Sequence, residues 1–169
     1  MIRTISLFLI VLNAACQYEV RFGGDIKATK DQVSWSARAT AVFAPVFGDS
    51  LITVLGKVYS EQGFIREELA FFKIPPREGI CEVFIAGAPH TYKGIGVAYS
   101  IFEGDGHVIS EYQTVDTSYQ NTFTVEAYDV SSRTLKASFE CRMMYVDGSN
   151  DTTYTLFKNG SIDVVIEDY

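Results

Sequence analysis

Alternating apolar and polar side chains, an aromatic and β-branched bias, and turn residues at short intervals predict an all-β protein. The expected architecture is an antiparallel β-sandwich of about nine or ten strands, with a closed, lipocalin-like β-barrel as the alternative. Aromatic residues make up 14% of the chain, including ten Tyr and twelve Phe, and such side chains suit pleated, half-buried surfaces. No stretch keeps a 3.6-residue period over three turns. The 169 residues, 47% apolar and 21% charged, fit a single globular domain rather than a disordered chain.

The elements follow in order through a β-domain spanning residues 31–169. Val33, Trp35, Ala37, Ala39, Ala41 and Phe43 form one face of a first strand. A turn at Phe47-Gly48-Asp49-Ser50 leads into Leu51 to Tyr59. Glu61 to Phe72 is the best helical candidate and reads equally well as a loop followed by a strand, with Pro75-Pro76 stopping that strand after Ile74. Cys81 to Ile85 is a short strand. Tyr92 to Phe102 is a longer one, whose Gly94 and Gly96 suggest a bend or bulge. Glu103-Gly104-Asp105-Gly106 turns the chain into His107 to Val115. Asn121 to Asp129, Thr134 to Val146 and Thr152 to Phe157 alternate clearly. Asn159-Gly160 is expected to be a type I′ hairpin turn before a last strand, Ser161 to Asp168.

Upstream of this domain the sequence has the layout of an export signal. Arg3 supplies positive charge, Ile5 to Leu12 (ISLFLIVL) an apolar run, and Asn13-Ala14-Ala15 small residues before Cys16. The run is too short to span about 30 Å of hydrocarbon. Residues 1–15 are therefore expected to be a signal peptide. Small residues before Cys16 resemble the lipobox of bacterial lipoproteins, which implies cleavage before that cysteine and a lipid on its sulfur. Asn13 stands where that pattern usually has Leu, with Leu12 one step earlier. An ordinary secretory signal, leaving a soluble secreted or periplasmic chain, is the alternative. Residues 16–30 are expected to form a lipidated tether or an edge strand.

With Cys16 set aside, Cys81 and Cys141 remain. Cys141 shares the apolar parity of Leu135, Ala137, Phe139 and Met143. A disulfide between the pair would close a loop of about 60 residues, worth up to about 4 kcal/mol in the chain-entropy model. Two separate buried thiols are the other reading.

Composition and spacing argue against several functions. Net charge is −7 and the cations are scattered, so neither nucleic acid nor a polybasic membrane patch is expected. His90 and His107 sit in no metal-ligand pattern, and no metal or cofactor is expected. A nucleophile elbow and a phosphate loop are both missing. Asp147 to Asp151 resembles a calcium loop but has Thr152 where Gly belongs and Lys158 where a closing Glu belongs. Paired carboxylates could hydrolyse glycosides, but no pair stands out among the 21 acidic residues. Tyr59, Tyr92, Tyr112, Tyr128 and Tyr154 include candidates for stacking on sugars or a protein partner.

Several short motifs extend the likeness to the lipobox: Trp35-Ser36-Ala37, Phe123-Thr124-Val125, Tyr128-Asp129, Lys136-Ala137-Ser138-Phe139, and Asn159-Gly160-Ser161-Ile162-Asp163-Val164. Together these resemble the small, uncharacterised β-rich lipoproteins of the Bacteroidota. That resemblance implies a lipid-anchored envelope protein, of the outer membrane before the inner, and carries no assigned activity. The expected function is a non-enzymatic, membrane-tethered binding or accessory module with a protein or glycan partner. A barrel carrying a small apolar ligand comes second, and a carboxylate-dependent hydrolase third.

Overall fold

Side chains that alternate between faces fold most of the described residues into strands. The computed structural model describes residues 22–46, 49–85, 94–104, 106–146 and 151–167. The signal-like segment, Cys16, His90, Tyr92 and most of the Asp147 to Asp151 loop lie outside them. The strands are β1 (Gly24–Lys30), β2 (Val33–Val46), β3 (Asp49–Tyr59), β4 (Ile65–Ile74), β5 (Gly79–Cys81), β6 (Val83–Ile85), β7 (Ile95–Phe102), β8 (Val108–Tyr112), β9 (Thr114–Val115), β10 (Thr122–Asp129), β11 (Thr134–Val146) and β12 (Thr152–Glu167).

They hydrogen-bond in the order β5-β10-β11-β12-β1-β2-β3-β4-β7-β6, with β8 on β7 and β9 on β11. Two short segments then bring the ends together. β5 and β6 are separated by Glu82 alone, yet β5 pairs with β10 and β6 with β7. β8 and β9 are separated by Gln113 alone, yet β8 pairs with β7 and β9 with β11. Each segment changes neighbours at one residue and bridges the same seam. Of the two expected architectures the molecule adopts the barrel, nearly closed, rather than the sandwich. Register shifts in the β1–β12, β10–β11, β11–β12 and β3–β4 ladders supply the local bending that lets strands as long as β11 and β12 curl. The sheet is not wholly antiparallel: β6 runs parallel to β7, and the end of β12 runs parallel to β2 at Ile166 and Glu167.

The structure departs from the sequence reading at three places. First, Asn159-Gly160 is not a turn. It lies inside the continuous strand β12, with Asn159 at φ 50°, where the β11–β12 register shifts. A Cβ on Gly160 would sit 2.5 Å from the Phe139 ring, so the glycine serves packing at a bulge. Second, a tight turn with two positive φ values stands elsewhere: Asp31 (47°) and Gln32 (71°) join β1 to β2. Third, the segment read as tether or edge contributes β1, an interior strand bonded to β12 and β2. Gly24 permits that fit, because a Cβ there would lie 2.0 Å from the Asp163 carbonyl oxygen. The helical candidate resolves into a turn followed by β4.

The barrel interior is filled by side chains from facing walls. Phe71 of β4 meets Phe123 of β10 and Phe139 of β11, with ring centroids 5.2 and 4.8 Å apart. Phe157 of β12 meets Trp35 of β2 at 5.3 Å and Tyr99 of β7 at 5.1 Å. Ile26, Ile52, Leu69, Val97, Leu135 and Met143 complete the dry middle.

Candidate functional site

Sequence reasoning singled out cysteines, histidines and tyrosines, and the structure disperses most of them. Cys81 and Cys141 are both free thiols, and β10 lies between their strands. Burial pushes the Cys141 thiol up to about 12. Burial also raises Cys81, opposed by the charge of Arg77. Both thiols are thus poor nucleophiles. His107 is exposed at a turn. Tyr112 is buried, packed between Tyr99 and Tyr145. Tyr154 is exposed beneath the Arg142 guanidinium, 4.2 Å from the ring centre. Tyr128 packs against the core. Of the predicted stacking residues that are described, Tyr59 alone lies in the recess described below.

Sequence reasoning missed a polar cluster at one end of the barrel. Glu67 shares its inward parity with Leu69 and Phe71, and Lys30 shares that of Ile26 and Ala28. One carboxylate oxygen of Glu67, Oε2, accepts hydrogen bonds from Lys30 Nζ (2.7 Å), Trp35 Nε1 (2.6 Å) and Tyr99 OH (2.7 Å). Lys30 Nζ also donates to the Tyr99 hydroxyl at 2.9 Å. Burial acts to raise the Glu67 pKa, but the bonds from Lys30, Tyr99 and Trp35 and the lysine charge outweigh it and hold the carboxyl below its ordinary value. Tyr99 is pushed far up by burial and by its bond to that carboxylate, so it stays protonated. A carboxylate held this low is a weak general base. The cluster braces the barrel end and joins β1, β2, β4 and β7. An acidic residue on an inward register was the available signal.

A second cluster closes the loop between β9 and β10. The buried Asp116 accepts from Ser118 N (2.9 Å) and Oγ (2.7 Å) and faces Arg142 Nε at 3.3 Å. The Ser118 bonds, with help from Arg142, hold its carboxyl below the usual range against burial. Asn121 ties the same loop to β11 by accepting from Arg142 N at 2.8 Å, and Tyr119 donates to Glu140. The bonds of Asp116, Ser118, Tyr119 and Asn121 stay within the loop and β11, and no buried side-chain polar atom among the described residues lacks a partner, so the cluster is structural.

The recess with room for a ligand lies outside the barrel. Its volume is about 740 Å³, within the range of small-molecule sites. It is lined by Phe22, Asp25, Ser36, Arg38, Lys57, Tyr59, Ser60 and Glu61, with Ala37, Val58 and Gly63. Parity explains the placement: Trp35, Ala37 and Ala39 face inward, so Ser36 and Arg38 face outward on β2. Lys57 and Tyr59 do the same on β3, opposite the inward Val54. Phe22, just before β1, meets the Tyr59 ring edge-on at 5.7 Å, and the Arg38 guanidinium lies 5.5 Å from the Phe22 ring centre.

Comparison with known proteins finds no matching family model, curated protein or solved structure. Among the described residues there is no group of three or more His, Cys, Asp or Glu able to hold a metal ion. Among the same residues no helix is long and apolar enough to cross a membrane.

Proposed function

We propose that this chain is a non-catalytic binding module of a bacterial envelope, tethered by a lipid on Cys16 and binding through the outer wall of its barrel. The observation that carries this reading is the position of the recess. The interior is occupied by aromatic and aliphatic side chains in contact across the barrel. The space for a ligand lies outside, against Phe22. That residue follows the proposed lipid attachment point closely in sequence. The packed interior also gives little support to a carrier of apolar ligands. The neighbours of Glu67 are donors rather than a second carboxylate, an arrangement that does not favour hydrolysis. The lipobox-like layout and the resemblance to small Bacteroidota lipoproteins support an envelope address, at the outer membrane before the inner.

Labelling with radioactive palmitate in a bacterial host tests the tether. The native chain is expected to take up label and to sediment with membranes. Cys16→Ala is expected to do neither. Equal labelling of the two chains removes the lipoprotein reading.

A further inference from the structure

Around the recess, the charged groups of β1, β3 and β4 are already matched. Lys27 Nζ lies 2.8 Å from Asp25, and Lys57 Nζ lies 3.3 Å from Glu68. Arg38 is the exception. It stands beside Asp25 in the β1–β2 register and beside Lys57 in the β2–β3 register, yet no carboxylate among the described residues pairs with it. Its one described contact is the Phe22 ring. A guanidinium packed over a ring keeps its edge donors available, and those donors suit the two oxygens of a carboxylate or phosphate. Across the recess, the Tyr59 ring, Ser36, Ser60 and the Glu61 carboxylate line the space around it. The Ser60 hydroxyl accepts from Phe64 N at 3.2 Å, which leaves its own hydrogen to donate. One cation without an ion pair, aromatic walls and a rim of hydroxyl and carboxylate acceptors complement a ring that carries an oxyanion on one side and hydroxyls on the others. A bare anion would leave the aromatic walls uncovered, and a fatty acid would leave the polar rim unsatisfied.

We infer that the recess binds an acidic sugar, with Arg38 holding its carboxylate or phosphate and Tyr59 and Phe22 packing against the ring. This deepens the binding reading above and rests on it, but not on the lipid. The test is calorimetric titration of the full chain with three probes: a glucuronate oligosaccharide, its neutral glucose counterpart and inorganic phosphate. The glucuronate probe is expected to bind, and the neutral sugar and phosphate each about tenfold or more weaker, as loss of one charge-assisted bidentate contact implies. Arg38→Gln is expected to lose at least about as much for glucuronate, and Tyr59→Ala to weaken it with an unchanged thermal midpoint. Lys136→Gln, on the solvent side of β11, is expected to bind like the native chain. Absence of glucuronate binding, phosphate binding as tight as glucuronate, or equal affinity in Arg38→Gln would each overturn the assignment. Cys16→Ala is titrated in parallel. Sugar binding retained in that variant separates the fate of the recess from the fate of the tether.

Discussion

Glu67 concentrates three donors on one oxygen, and its removal should be felt across four strands. Glu67→Gln keeps the shape but loses the charge that Lys30 neutralises, leaving a half-buried ammonium with weaker partners. The expected destabilisation is about 1–3 kcal/mol at neutral pH, discounted for the partial exposure of both groups. Because the folded carboxyl is depressed, its contribution is complete above the ordinary glutamate value of about 4.5 and fades as pH falls through the folded value. The stability gap between native chain and variant should therefore narrow below pH 4.5 in denaturant titrations. A gap of constant size from neutral to strongly acidic conditions would show that the ionic contribution is absent. The candidate site was less legible than this brace. Tyr59 was visible as one of several half-buried tyrosines. Arg38 was hidden because an outward arginine on a strand is ordinary. What distinguishes Arg38 is the pairing of its neighbours, Asp25 with Lys27 and Lys57 with Glu68, and sequence spacing does not report pairing across strands.

Strands that alternate without interruption were readable in advance. Trp35 to Ala41 and Leu135 to Met143 show their buried and outward positions directly in the letters. What escaped was decided by neighbours. Asn159-Gly160 carries a strong local turn preference, but the long ladder of β12 against β11 and the Phe139 ring convert it to a bulge. Asp31-Gln32 has a weaker turn signature and still turns, because Asp31 exchanges backbone and side-chain bonds with Leu156 of β12 at 2.9 Å. The seam segments could not be foreseen either, since one residue, Glu82 or Gln113, separates pairing with one strand from pairing with another. These short strands are the part of the barrel expected to open first. In native-state hydrogen exchange, amides of β5, β6 and β9 should exchange well before those in the middle of β11, β12 and β2. Equal protection of the seam and the long strands would refute a weak closure.

The whole wall depends on its last strand. β12 is bonded to β11 on one side and to β1 on the other, and it touches β2 at its tip. Removing residues 160–169 should strip partners from β1 and from the first half of β11 together. The truncated chain is expected to show no cooperative thermal transition and to be cut readily by protease. A folded truncated form with a cooperative melt would mean that β1 closes on another neighbour. Long-range ladders of this kind also slow folding, because distant segments must meet before most of the burial is gained.

The union of the earliest described strand with the latest has a consequence for the newborn chain. Until β12 has been made, β1 has β2 beside it and an empty flank on its other side. Completion must wait for β12, and until then the earlier strands lack the neighbour that joins β1 to β11. A barrel assembled in that order becomes solid only once β12 lies between β11 and β1.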